Sequence, residues 1–482
     1  MKKRLIILHI DGLSYNHLFE AIEKGYMPTV KRLLEKEGYN AWKYRTGIPS
    51  TTPFAQAGIL YGDNTNIPSF TWFDKESGVV VRFGSRPSFQ KVSHKYFKNK
   101  TPLTEHGASI ATCYPAGASE TFALAYNDPK SPTKTKAEAR RSVLLRWFCN
   151  PFYVAEWIFF SVFVFVAYFI KLVQININGE HVSYKYFITE LLQEIFLHHM
   201  TRYAAAEAMK DGYPVIYAAF YAYDDGAHAF GPENKFCLQM LGQLDRSMHY
   251  INEKREKNKH LYELLILSDH GQISTQPFKD RRHKQLGDIL AEWLPNYDIQ
   301  ETPGKHIESI HDRQDGEIMI TYSGGLGHLY FRQYQGRADM DAIHKGFPGL
   351  IDNIKNMPEI GCMLMKKGKE DVLIMKEKVF ILSHTNKELL RYLSTFDDAE
   401  ILLEQLKKFN SFMNCGDIVF FGAFINGKQI NFENQQGGHG TFGSEQMHPF
   451  IMLKDEWNIK VENVTNATQL HPLIQKLISK FA

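Results

Sequence analysis

Metal-type side chains stand at the ends of apolar runs in this sequence, and that placement constrains the fold more than any other feature. Asp11 closes LIILHIDG, Asp224 and His228 follow an apolar run in VIYAAFYAYDDGAHAFGP, Asp269 and His270 close LLILSDHG, and His439 sits in QQGGHGTFG. Thr52, in GIPSTTPF, adds a hydroxyl just before a helix-like run. These groups are spread over most of 482 residues. They can meet only if the fold gathers strand ends, and in an open α/β sheet ligands bind beyond the carboxyl ends of the strands.

The runs themselves predict such a sheet. Arg4 to Ile10 is a near-continuous apolar stretch of the buried parallel type, and Val215 to Phe220 and Leu261 to Leu267 repeat it. Helical periodicity lies between them, over about 15–37, 184–209 and 234–253, and Ala108 to Cys113 offers another strand. Strands alternating with helices predict a mostly parallel sheet flanked by helices. From about Glu317 to Phe424 the texture changes to short alternating strands with Gly-rich turns, which predicts an inserted mixed α+β cap. The expected organisation is a core over 1–141, an apolar helical insertion over 142–183, core again over 184–316, the cap over 317–424, and a closing core segment over 425–482.

Composition narrows the partners. The net charge of +3 is too small to imply a nucleic-acid polymer. The five cysteines are scattered with no C-x-x-C pair, which argues against a disulfide framework or a thiolate zinc site and fits a reducing compartment. The start, MKKRLIILHIDG, has an apolar run shorter than a signal peptide needs and no small-residue cleavage site, so it reads as a buried first strand. The expected location is the cytoplasm, in association with the inner face of the membrane.

The membrane enters through Pro151 to Ile170, PFYVAEWIFFSVFVFVAYFI, with Glu156 as its one charge. Its length is close to the roughly 20 residues that span a bilayer. A single crossing would put Asp11 and Thr52 on one side and the remaining donors on the other, so they could not share a site. Three arrangements survive: a helix in the membrane interface, a re-entrant element, or a helix buried against protein or a second copy. The aromatic content and the preceding Arg140, Arg141 and Arg146 favour contact between 151–170 and a membrane surface.

Hard carboxylates with neutral imidazoles suit Zn²⁺, or alternatively Mn²⁺. A lone Asp after a strand is usually a cap or a turn residue; three such positions, two with a nearby His, point to metal. Asp224 and His228 are four apart and can reach one ion, although Asp225 competes with Asp224. His439 lies among glycines that let backbone approach an ion. His328, in SGGLGHLYF, is divided between a structural role and substrate contact. Thr52 precedes Pro53 at a natural helix cap. A hydroxyl there needs activation to act as a nucleophile, which a bound cation supplies, while a second cation about 4 Å away stabilises the opposing oxygens. Ser50 and Thr51 are rival hydroxyls.

With HIDG, PSTTPF, DDGAHAFGP, SDHG and GGHG in this order, the chain resembles the alkaline phosphatase superfamily, in particular its type I phosphodiesterase and nucleotide pyrophosphatase branch. The resemblance implies an alkaline phosphatase-like core and two zinc ions. One would be held by Asp224, His228 and His439, the other by Asp11, Asp269, His270 and the Thr52 oxygen. It also implies a covalent phosphothreonine at Thr52. An Asn that clamps phosphoryl oxygens in that family is replaced by Ala55, which leaves the neighbouring Gln56 as the candidate substrate contact. A sulfatase is disfavoured, because Thr51-Thr52-Pro53-Phe54-Ala55 lacks the Cys or Ser and the Arg of that site. The expected activity is a two-metal phosphodiesterase or phosphotransferase acting on a small-molecule, nucleotide or lipid-linked diester. The alternatives are a phosphomonoesterase or phosphomutase on the same scaffold, and a non-catalytic membrane-associated binding protein.

Overall fold

The computed structural model describes residues 2–83, 86–122, 143–177, 188, 191–302, 317–384 and 386–481. Its centre is a seven-stranded sheet in the order Tyr39–Lys43, Phe450–Lys454, Leu261–Leu267, Lys3–Ile10, Val215–Phe220, Ala108–Ile110, Glu120–Phe122. Every neighbouring pair from Leu261–Leu267 to Glu120–Phe122 is parallel, and Phe450–Lys454 alone runs against the rest. The fold is therefore the expected mixed α/β type with a mostly parallel sheet. Lys3–Ile10 lies in the middle, and its residues from Leu5 to Ile10 are all buried. This explains its unbroken apolar run, since a strand covered on both faces has no solvent side to alternate with.

Helices flank this sheet in two groups. His199–Asp211 packs on Val215–Phe220 and on Lys235–Glu256, which in turn reaches Leu261–Leu267. Thr52–Tyr61 and the last helix, Leu470–Phe481, pack together, and the latter rests on Lys3–Ile10. Residues 184–187 and 189–190 of the helix expected over 184–209 lie outside the described residues. The part described includes a π-helical turn, Gln193–His198, leading into His199–Asp211.

A second seven-stranded sheet, mostly antiparallel, draws on residues 299–422 in the order Ile299–Thr302, Ile318–Ser323, Leu326–Phe331, Ile418–Gly422, Ile360–Lys367, Glu370–Met375, Lys378–Ile381. It has its own apolar core, including Ile320, Leu329, Phe331, Phe347 and Phe420. A small sheet containing Ile273–Pro277, Lys428–Asn431 and Gly437–Gly438 carries the chain from this part back towards the central sheet.

The apolar segment forms one helix, Pro151–Ile177, longer than the expected 151–170. Among the described residues, no helix is long and apolar enough to cross a membrane.

Candidate metal centre and nucleophile

Two strand ends begin the site. Asp11 follows Lys3–Ile10 directly and keeps the sheet register, its N–H donating to Phe220 O at 2.9 Å. Asp269 lies two residues beyond Leu261–Leu267, the adjacent parallel strand. Both carboxylates therefore emerge at the same sheet edge. Between them the chain turns through Gly12, whose φ of 72° an L side chain seldom adopts. A Cβ there would stand 2.2 Å from Asp224 Oδ1, so the glycine also lets the second carboxylate set approach.

Thr52 reaches the same place from a helix start. Thr51 occupies the cap position, one residue earlier than expected, and Thr52 opens the helix Thr52–Tyr61. Its Oγ1 donates to Asp11 Oδ1 at 3.3 Å and lies 3.0 Å from His270 Nε2. Of the rival hydroxyls, Ser50 donates to Thr441 O and Gln446 Oε1, and accepts from Gly440 N–H. The Thr51 hydroxyl is buried and has no hydrogen-bond partner among the described residues. Thr52 is the hydroxyl of the three that touches the donor cluster.

His270 Nε2 stands 3.4 Å from Asp11 Oδ1 and 3.4 Å from Asp269 Oδ2. The second set forms on the short helix Ala222–Phe230, where four-residue spacing puts Asp224 and His228 on one face. His228 Nε2 is 3.1 Å from Asp224 Oδ2, and His439 Nε2 is 3.2 Å from His228 Nε2. The metal-ligand atoms of Asp224, His228 and His439 all lie within 4.8 Å of one another, as do those of Asp11, Asp224 and His270. Asp225 belongs to neither group.

The imidazoles fit a metal for a specific reason. His228 Nδ1 faces Gly437 O at 3.0 Å, His270 Nδ1 faces Gly271 O at 3.0 Å, and His439 Nδ1 faces Ser50 O at 2.7 Å. A carbonyl only accepts, so each Nδ1 carries the proton in the neutral ring and each Nε2 presents a lone pair to the cluster. Three inward lone pairs and three buried carboxylates make a cluster suited to divalent cations, and the N/O donor set suits zinc or manganese.

Burial, then Asp269 and Asp224, push the Asp11 carboxyl well above the usual carboxylate range. Burial acts the same way on Asp224, but the His228 and His439 imidazoles beside it outweigh that and hold it well below the range. Burial lowers His228, yet the Asp224 carboxylate raises it on balance, to about 9. Burial and the neighbouring His270 take His439 down to about 3. Such opposed shifts within one cluster are a mark of functional sites.

Three supporting residues escaped the sequence reading. His9 Nε2 lies 3.1 Å from Asp269 Oδ1, and its ligand atom falls within 4.8 Å of those of Asp11 and Asp269. It stands two residues before Asp11 and so on the same face of the strand; a polar residue inside a fully buried run was the available signal. Gln272 Nε2 donates to Asp224 Oδ1 at 2.5 Å and to Asp224 O at 2.9 Å. Ser50 O holds His439, as given above.

Two expected substrate contacts point elsewhere. Gln56 is fully buried. Its Oε1 accepts from Cys113 N–H at 2.8 Å, and its Nε2 lies 3.3 Å from His9 Nδ1 and 3.2 Å from Tyr221 OH. It braces the wall behind the cluster. His328 is fully buried in Leu326–Phe331, its Nδ1 accepting from Gly416 N–H at 3.1 Å and its ring stacked on Tyr330. It packs the second sheet, so neither residue is retained as a substrate contact.

Known proteins share this arrangement of the chain. Phosphonoacetate hydrolase from Sinorhizobium meliloti 1021, in complex with phosphonoformate, is similar with a TM-score of 0.52 and 14% identity, over 100% of this chain and 96% of that one. Human ectonucleotide pyrophosphatase / phosphodiesterase 5 is similar with a TM-score of 0.51 and 12% identity, over 99% and 95%. The inactive murine form of the latter, in complex with AMP, gives 0.50 and 12% over the same shares. At these identities the likeness is one of fold. A search of curated proteins gave no match. The sequence pattern of "Type I phosphodiesterase / nucleotide pyrophosphatase" matches residues 5–335, more than half of the chain. The chain thus belongs to the type I phosphodiesterase / nucleotide pyrophosphatase family, whose members are phosphoester hydrolases.

Proposed function

We propose that the protein cleaves a phosphodiester in two steps through a covalent phosphothreonine at Thr52, with two divalent cations, Zn²⁺ or Mn²⁺, held by the two donor sets. Asp224, His228 and His439 would hold one; Asp11, Asp269, His270 and Thr52 Oγ1 would hold the other. Bound there, the cations supply positive charge that lowers the pKa of the Thr52 hydroxyl and offsets charge developing on the phosphoryl oxygens. The observation that carries the reading is the position of Thr52 Oγ1, 3.0 Å from His270 Nε2 and 3.3 Å from Asp11 Oδ1.

The chain's own residues do the rest. The packed helix start fixes the Thr52 rotamer, so the hydroxyl meets phosphorus without a search through conformations. The N-terminus of Thr52–Tyr61 favours the incoming anionic group. Thr52 Oγ1 bonds to phosphorus as the leaving alcohol departs, and water then cleaves the phosphothreonine ester to regenerate the hydroxyl. Transfer to another alcohol in place of water gives the phosphotransferase version of the same step.

The test is an acid quench during turnover of an aryl phosphodiester, followed by peptide mass spectrometry. The expected result is a phosphoryl adduct on Thr52. Its absence from a protein in steady turnover would refute the covalent route. Rates on matched mono- and diester substrates separate this reading from a phosphomonoesterase.

A further inference from the structure

The helix Pro151–Ile177 has two unlike faces. On the inner face Val164 is fully buried with Ala222, Phe236 and Met240, and Trp157, Phe160 and Phe230 close the same cluster. Tyr153 packs on Tyr203 with ring centroids 4.5 Å apart, Phe160 lies 5.5 Å from His199, and Arg202 reaches Glu156 at 2.9 Å. Contacts spread from Tyr153 to Val164 lay the first half of the helix along the protein. A helix held this way meets a membrane in its plane and does not pierce it.

The outer face is apolar and uncovered. Phe152, Phe159, Val162, Val166, Phe169 and Val173 are all exposed, the first two by 84% and 77%. Their spacing of seven, then alternately three and four, makes one stripe. At 1.5 Å per residue it runs for about 31 Å. Soluble surfaces rarely leave a continuous stripe of large apolar side chains in water. The chain just before it carries Lys130, Lys134, Lys136, Arg140 and Arg141 against Asp128 and Glu138. That local excess of positive charge matches an anionic lipid surface better than a second, equally cationic copy of the same chain.

We propose that this helix docks the protein in the plane of an anionic bilayer, with the outer stripe among the lipids. The inner face touches Ala222–Phe230, the helix bearing Asp224 and His228. Asp224 and His228 lie on the opposite face of that helix, so about two helix diameters, roughly 20 Å, separate the lipid surface from that donor set. Resting on the phosphodiesterase reading, the substrate class is the phosphodiester of a lipid headgroup in the same membrane.

Flotation of the full chain tests the docking without any turnover. The probes are vesicles of phosphatidylcholine alone and of phosphatidylcholine with phosphatidylserine in equal parts. The wild-type protein is expected to float with the mixed vesicles, more weakly with neutral ones and more weakly at high salt. Phe159→Glu combined with Phe169→Glu should reduce binding by about 10-fold or more. Both positions are exposed, and an unchanged circular dichroism spectrum and melting curve would show that folding is intact. Wild-type protein that fails to float, or a variant that floats equally well, overturns the proposal. So does a detergent-free dimer that the double variant converts to monomer, since a second copy then covers the stripe. Turnover separates the two readings. The variant should keep hydrolysis of a soluble aryl diester and lose hydrolysis of phospholipid in vesicles. Normal flotation without diester turnover by the wild type would end the catalytic reading and leave the docking intact.

Discussion

The two donor sets are built differently. Asp11, Asp269 and His270 sit at the ends of adjacent parallel strands, and backbone pairing from Lys3 to His9 fixes their register. Asp224 and His228 ride on a nine-residue helix, and His439 follows a two-residue strand in a glycine-rich loop. That second set depends on reach from elsewhere: Gln272 on Asp224, Gly437 O on His228 and Ser50 O on His439. The first is placed by the sheet, the second by a few long-range hydrogen bonds. Replacing a donor should damage either set, whereas replacing a support should damage the second one more.

The largest effect should come from the hydroxyl next to the sheet-placed set. Thr52→Ala should lower kcat on an aryl phosphodiester by about 10³-fold or more while both metal equivalents remain by mass spectrometry. Turnover within tenfold of wild type would remove Thr52 from the chemistry. Exhaustive chelation should also abolish turnover, with Zn²⁺ or Mn²⁺ restoring it; full activity in the chelated protein would refute metal dependence.

A paired measurement sharpens the contrast itself. Gln272→Leu should weaken one of the two ions by about 10–100-fold in a competition titration, the usual cost of losing an outer-shell partner. His9→Phe should weaken the other ion by less, because Gly12 N–H and His270 N–H also donate to Asp269 Oδ1, at 3.3 and 3.0 Å. Equal losses, or a larger one at His9, would contradict the difference drawn between the sets.

Backbone support gives a smaller effect. Gly324 has a φ of 61°, and a Cβ there would stand 2.1 Å from His439 O. Gly324→Ala should destabilise the fold by about 1–3 kcal/mol in denaturant titration and loosen the His439 ion selectively. An unaltered midpoint with unaltered metal affinity would show that the loop tolerates displacement.

The smallest effect lies outside the site. Asp397 accepts from Arg45 Nε and Nη2 at 2.7 and 2.8 Å and pairs with His448 at 2.8 Å. Burial pushes its carboxyl up, but Arg45 and then His448 outweigh that and hold it well below the ordinary range. A depressed folded-state pKa gives stability that is present above the unfolded value of about 3.9 and lost as pH falls through the folded one. Asp397→Asn should cost roughly 1 kcal/mol at neutral pH, with the gap to wild type closing in strong acid. A gap independent of pH would assign the loss to packing.

Much of this was legible in the sequence, because the signals were local. An apolar run ending in Asp reports a buried strand and its exit together, which places Asp11 and Asp269. The four-residue spacing reports Asp224 with His228, and the glycines around His439 report close approach. What failed depended on direction. Gln56 stands one helical turn after Thr52, about 6 Å further along the axis, and so falls behind the cluster, against His9 and Tyr221. His328 lies in the middle of a strand buried on both faces, where a histidine is packed like its neighbours. His9 and Gln272 gain their roles only from strand register and a chain turn. The apolar character of 151–177 was plain, but which of its residues face the protein emerged only once Val164 was seen against Ala222 and Met240.

One contact couples the two sets. The rings of His270 and His439 stack with centroids 3.9 Å apart, joining a residue of each across 169 positions of sequence. Ordering one imidazole restricts the motion of the other, so under the proposed two-cation reading the first cation to bind would offset part of the entropic cost of seating the second. Loading should then be steeper than for two independent sites, and cutting the stack should flatten the isotherm in both directions, because such coupling is reciprocal.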